Sequence, residues 1–277
     1  MRSFKQVDVF TAVPYRGNPL AVVMDGDGLS TEEMQRFANW TNLSETTFVL
    51  PPTDPGADYR VRIFTTEVEL PFAGHPTIGT CHAWLEAGGV PKTDGVVVQE
   101  CGAGLITLRH ADRLAFAAPP LDRSGPVDDA DLDDVCAVLD IDRSAIVDAA
   151  WADNGPGWIA VQLADAEAVL ALQPQMTARP TYKIGVVGAH PAGHDAAIEV
   201  RALFKMGDAP GAEDPVTGSL NAALAQWLLG TGTLTAPYQA IQGTAIDRAG
   251  RVFVEQADGD IWVGGDAVTC IDGEVEL

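Results

Sequence analysis

The chain has 277 residues, 47% of them hydrophobic and 20% charged, with 39 Asp and Glu against 17 Lys and Arg for a formal net charge of −22. This apolar content excludes intrinsic disorder. The acidic surplus argues against nucleic acid and anionic membrane surfaces as partners, since both call for clustered Lys and Arg.

Residues 4–10 alternate toward a strand, and a turn at Arg16-Gly17-Asn18-Pro19 leads into a second strand over Leu20–Val23. Ser30 and Glu33 stand at capping-box spacing, which predicts a helix running to about Trp40. Strands are expected at 46–50 and 58–64. A helix should follow Glu69-Leu70-Pro71-Phe72-Ala73-Gly74-His75 and stop at Gly88-Gly89. Strands at 95–100, 104–109 and 113–117 close a first half. The acidic stretch 122–134 reads as a linker, with a helix near 130–139. The pattern then returns, with a strand at 158–161, a short helix at 165–172 and strands at 182–187 and 197–204. A helix opens at Glu213-Asp214-Pro215-Val216-Thr217-Gly218-Ser219.

That last segment repeats residues 69–75 at an offset of 144, with Glu, Pro and Gly in common and a helix behind each. Two similar mixed α/β domains are therefore expected, 1–118 with 265–277 and 119–264. A helix start offers free backbone N–H groups and a positive dipole end. Two such starts facing one inter-domain cleft would hold a small anion without a basic patch, which suits so acidic a chain.

The side chains available there are His75, Asp214, Glu69, Glu213 and Ser219, with Asn18 and Glu45 in loops of the first half. The sequence contains no nucleophile elbow, P-loop, zincin motif or dinucleotide fingerprint. Cys81, Cys101, Cys136 and Cys270 are scattered and read as buried free thiols. Neither a metal nor a cofactor is expected. The absence of a signal-peptide core or an apolar span points to the cytoplasm. Acid–base chemistry on a small molecule remains.

The segments Gly17–Val23, Asn42-Leu43-Ser44-Glu45-Thr46, Glu69–Thr77 and Glu213–Ser219, with Gln242-Gly243 and Val263-Gly264-Gly265, resemble the PhzF phenazine-biosynthesis family over nearly the whole chain. The resemblance implies an α+β fold of the diaminopimelate epimerase type: two pseudo-symmetric domains, each a curved sheet around a central helix. It also implies a homodimer and a cofactor-independent isomerase that shifts a proton on a substrate like dihydro-3-hydroxyanthranilate. Carried over, Glu45 would be the general acid/base, with a pKa raised in a dry cleft. His75 and Asp214 would assist it, and Asn18, Gly74, Gly218 and Ser219 would bind a small anionic substrate. The cysteine pair of related epimerases falls on Ala73 and Thr217, which disfavours two-base racemisation. Leu220-Asn221 replaces the family's usual Ala-His, and residues 205–210 depart from its usual form, so the substrate could be another natural-product diene, such as an alkyl-proline precursor. An amino-acid epimerase or racemase and a non-catalytic metabolite-binding protein are the competing readings.

Overall fold

The computed structural model describes residues 1–277. In chain order the elements begin with β1 (Arg2–Val9), β2 (Asn18–Val23), α1 (Thr31–Thr41), β3 (Glu45–Leu50), β4 (Tyr59–Phe64), β5 (Glu69–Leu70), α2 (Gly74–Glu86), β6 (Val96–Cys101), β7 (Gly104–His110) and β8 (Leu114–Ala117). They continue through β9 (Arg123–Pro126), α3 (Asp129–Leu139), β10 (Asp148–Asp153), β11 (Ile159–Gln162), α4 (Ala166–Ala171), β12 (Tyr182–Ala189), β13 (Ile198–Lys205), β14 (Ala212–Asp214) and α5 (Gly218–Gly230). The chain ends with β15 (Tyr238–Gln242), β16 (Gly250–Ala257), β17 (Asp260–Gly265) and β18 (Ala267–Val275). It divides into two compact units, 1–117 with 264–277, and 118–263.

In the first unit β1 pairs antiparallel with β2 and with β18, so the C-terminal strand returns to the beginning. The order continues with β3 parallel to β2, β4 antiparallel to β3, and β6 parallel to β4, with β7 and β8 following as antiparallel neighbours. The second unit repeats this wiring. There β9 and β11 flank β10, β12 runs parallel to β11, β13 antiparallel to β12, and β15 parallel to β13, with β16 beyond. β5 and β14 are short antiparallel additions to β4 and β13.

Each unit is organised about one buried helix. α2 and α5 have 13 residues each and begin 144 residues apart. A helix buried on all sides carries little amphipathic pattern. α2 accordingly buries Gly74 through Cys81 and packs on β1, β2, β3, β6, β8 and β18. Gly79 permits this approach, because a Cβ there would lie 2.7 Å from both Leu20 Cδ2 and Val9 Cγ2. α1 is the outer helix. Its Ser30–Glu33 capping box is formed, and it lays Met34, Phe37 and Ala38 against Val23, Phe48 and Phe64. In the second unit, Val135, Val138 and Leu139 of α3 and Val169 of α4 join Ile184, Val186 and Leu203 in one apolar cluster.

Two sequence expectations need correction. The stretch read as a linker contains β9, which pairs with β10; its four residues are all exposed, so no burial period marks it. Of the four thiols only Cys81 is fully buried; Cys101, Cys136 and Cys270 are partly exposed, and all are free. No helix is long and apolar enough to cross a membrane.

Candidate active site

In the first unit the turn before β2 is held by a buried carboxylate. Asp8 Oδ2 accepts the N–H groups of Arg16 at 2.7 Å and Gly17 at 2.9 Å. A Cβ at Gly17 would stand 2.2 Å from Val9 O, so the backbone approach requires glycine. Asn18 follows, fully buried, as the first residue of β2. Glu45 opens the neighbouring strand β3, opposite Leu20. Two residues on, Thr47 Oγ1 lies 2.8 Å from Thr80 Oγ1 of α2. Side chains alternate along a strand, so Glu45 shares the face that meets this helix.

α2 starts after Ala73, whose side chain supplies no cap. His75, its second residue, brings Nε2 to 3.5 Å from Glu45 Oε2, with the side chains 6% and 16% exposed. Burial drives the imidazole down to about 3, so it is uncharged at neutral pH and the contact is not an ion pair. Of the first unit's candidates, the structure thus brings Glu45 and His75 together, with Gly74 next in the chain.

The second unit repeats the plan with different chemistry. Asp153 Oδ1 accepts from Gly155 at 2.8 Å and Gly157 at 2.6 Å, as Asp8 does in its own turn. Asn154 Nδ2 donates to Ser219 O at 2.9 Å, and Trp158 Nε1 donates to Ser219 Oγ at 3.1 Å. α5 starts after Thr217, again without a side-chain cap of its own. Gln242 of β15 takes that place: its Oε1 accepts Thr217 N–H at 3.0 Å and Asn221 Nδ2 at 2.8 Å, while its Nε2 donates to Thr217 Oγ1 at 2.9 Å. The Thr217 hydroxyl donates in turn to Asp214 Oδ2 at 2.5 Å. Asp214 and Ser219 therefore belong to one hydrogen-bonded start of α5, with Gly218 its first residue. The unusual pair beside them has structural work within the unit. Asn221 ties Gln242 to Thr217 O, and Leu220 is fully buried.

Glu69 and Glu213 turn out to be anchors of the loops leading into these helices. Glu69 accepts both Arg62 Nε at 2.7 Å and Nη2 at 2.6 Å; Glu213 accepts both Arg201 Nε at 3.0 Å and Nη2 at 2.7 Å. Such two-pronged pairs fix orientation as well as distance. Sequence reasoning missed both arginines, along with Asp8, Asp153 and Trp158, and named Gln242 only within a motif, without its place at the α5 start. The available signal was an Arg in the strand preceding each repeated Glu.

Neither helix start carries a thiol: Ala73 and Thr217 occupy the N-cap positions. Cys81, farther along α2, is pushed up to about 12 by burial and is no proton carrier at neutral pH.

Two like-wired units with buried central helices define the class of PhzF and proline-racemase-like epimerase folds. The chain belongs to the PhzC-PhzF family, described as phenazine biosynthesis-like protein, whose profile matches residues 7–273. It is 37% identical to Antisense-enhancing sequence 1 of Schizosaccharomyces pombe over 98% of each chain. It is 32% identical to trans-2,3-dihydro-3-hydroxyanthranilate isomerase of Pseudomonas fluorescens over the full length of both. Among solved structures, a PhzF-family phenazine biosynthesis protein of Bacillus anthracis superposes with a TM-score of 0.82 at 22% identity, covering 100% of this chain and 99% of the other. A probable proline racemase from Agrobacterium radiobacter shares the fold at a TM-score of 0.59 and 15% identity, over 100% of this chain and 93% of that one.

Proposed function

We propose that the protein is an isomerase that relocates a proton on a small unsaturated amino or hydroxy carboxylate of the trans-2,3-dihydro-3-hydroxyanthranilate type, with Glu45 as general acid/base. The observation that carries this reading is the contact between Glu45 and the neutral His75 at an α2 start that has no thiol. An imidazole whose conjugate acid sits near 3 is too weak a base to take a proton from carbon near pH 7, so that task falls to the carboxylate.

In this scheme the Glu45 carboxylate takes a proton from one substrate carbon. The freed electron pair moves along the conjugated system, and the carboxylic acid so formed returns the proton to another carbon. His75 orients the carboxylate and does not compete for the proton. The 32% identity to a trans-2,3-dihydro-3-hydroxyanthranilate isomerase along the whole chain supports the substrate class.

The test is incubation with trans-2,3-dihydro-3-hydroxyanthranilate, followed by ultraviolet absorbance and proton NMR. Loss of the diene absorbance with formation of an isomer of unchanged mass is expected. No change over hours, together with α-proton exchange of free amino acids in heavy water, would replace this reading with a racemase.

A further inference from the structure

We propose that the buried hydroxyl pair of Thr47 and Thr80 is a positioning clamp, which fixes β3 against α2 and so holds Glu45 and His75 in place for proton transfer. The inference rests on the isomerase reading for the reaction, and on the first unit alone for the geometry.

Glu45 and His75 both stand at the ends of their elements. Glu45 is the first residue of β3, and His75 is the second residue of a helix whose N-cap, Ala73, makes no side-chain bond. Element ends fray unless contacts farther inside hold them. The Thr47–Thr80 contact supplies such a hold. It is 2.8 Å long, and both residues are fully buried. It lies two residues along β3 from Glu45 and five along α2 from His75.

Proton counting gives the contact a direction. Thr47 Oγ1 donates to Ala21 O of β2 at 3.4 Å. A hydroxyl has one proton, so Thr80 is the donor in the shorter bond. The chain of hydroxyls thus runs from α2 through β3 to β2, the elements that carry His75, Glu45 and Asn18. A threonine inside a helix commonly bonds back to the carbonyl four residues earlier. Thr80 reaches across to the strand instead.

The second unit is an internal control. Phe64, opposite Glu69, also faces Thr46; Leu203, opposite Glu213, also faces Ile184. Register therefore matches Thr47 with Gly185, and the helix offset of 144 matches Thr80 with Leu224. Neither residue has a hydroxyl. Gly185 meets α5 by apolar contact, so closely that a Cβ would fall 2.2 Å from Leu220 Cδ1. Another polar link is common to both units. Gln99 of β6 donates to Thr77 Oγ1 at 3.1 Å, and Asn221, 144 residues after Thr77, donates to Gln242 Oε1 of β15 at 2.8 Å. The glutamine link thus belongs to the shared fold. The hydroxyl clamp occurs only in the unit whose central helix presents an imidazole to a strand carboxylate; the matching positions in the other hold Lys183 and Ser219.

The decisive variant is Thr80→Val, which keeps the side-chain shape, removes the donor and leaves Thr47 its bond to Ala21 O. Thr47→Val breaks the same link from the strand side. Thr80→Ser keeps the hydroxyl, and Ile78→Val trims a buried apolar side chain of the same helix. Nitrogen NMR of histidine-labelled protein, with His75 assigned by its loss in His75→Gln, should show the His75 signals shifted or split in Thr80→Val and Thr47→Val. They should stay in place in Thr80→Ser and Ile78→Val. In turnover of trans-2,3-dihydro-3-hydroxyanthranilate, Thr80→Val should lower kcat at least about tenfold with KM within about threefold, since a misplacement of about 1 Å costs on the order of 10²-fold. Thr80→Ser should recover most of that loss. His75 signals unmoved in both Thr80→Val and Thr47→Val overturn the clamp. So does a kcat that Thr80→Val leaves unchanged, that Ile78→Val lowers equally, or that Thr80→Ser fails to recover. A wild type that turns nothing over refutes the isomerase reading, and the His75 signals then decide the clamp alone.

Discussion

The two loop anchors form an internal control for the effect of burial on an ion pair. Arg201 is 5% exposed and the Glu213 side chain 5%, whereas the side chains of Arg62 and Glu69 are 18% and 38% exposed. The contact geometry is the same. Arg201 also donates through Nη1 to Leu172 O at 3.0 Å and Val169 O at 3.3 Å, so Arg201→Ala strands a buried carboxylate and two carbonyls together. Breaking a buried pair by removing one partner costs roughly 3–5 kcal/mol, while a partly exposed pair contributes about 0–1 kcal/mol. Urea denaturation followed by tryptophan fluorescence should therefore show a much larger drop in midpoint for Arg201→Ala than for Arg62→Ala. Replacing both partners, as Arg201→Met with Glu213→Leu, should recover much of the loss, because an apolar pair leaves no charge unpaired. Equal losses at Arg62 and Arg201 would refute the argument that burial sets the cost.

Two pH effects follow from buried titratable groups. His75 titrates near 3 when folded and near 6.5 when unfolded, so below pH 6.5 the unfolded chain takes up a proton that the native one refuses; stability should fall by roughly 2 kcal/mol between pH 6.5 and 5, and His75→Gln should flatten that slope in denaturation curves. Glu199, 1% exposed and 3.1 Å from His190 Nε2, is raised by burial to about 7, so the native state keeps a proton that the unfolded chain has released. Its contribution is present below the ordinary carboxylate value and is lost as pH rises to 7, so Glu199→Gln should gain on wild type by on the order of 2 kcal/mol at pH 8, measured by thermal melts from pH 5 to 8.

The central helices and their starts were readable from the chain because their signals are local. Pro, Gly and a polar neighbour recur at one offset, and α2 and α5 begin 144 residues apart as that offset requires. Glu45 was reached through its motif, since one acid at a strand boundary has no period of its own; the structure moves it from the expected loop to the first position of β3, against His75. The repeated ion pairs were illegible for a related reason. The offset between the copies shrinks from 144 residues at Glu69 and Glu213 to 139 at Arg62 and Arg201, because the intervening loops differ in length, so no fixed-offset alignment pairs the two arginines. Strand register, which depends on partners distant in sequence, supplies the match. Glu69 and Glu213 stand among the ionisable groups near the helix starts, and the structure uses them to anchor loops to Arg62 and Arg201.

The central claim is that Glu45 carries the proton. Its most direct test is turnover of trans-2,3-dihydro-3-hydroxyanthranilate by Glu45→Gln, with melting curves confirming an intact fold. General acid–base catalysis contributes about 10²–10⁴-fold, and the account predicts a loss in kcat of at least that size with little change in binding. A Glu45→Gln protein that keeps kcat within tenfold of wild type would contradict it.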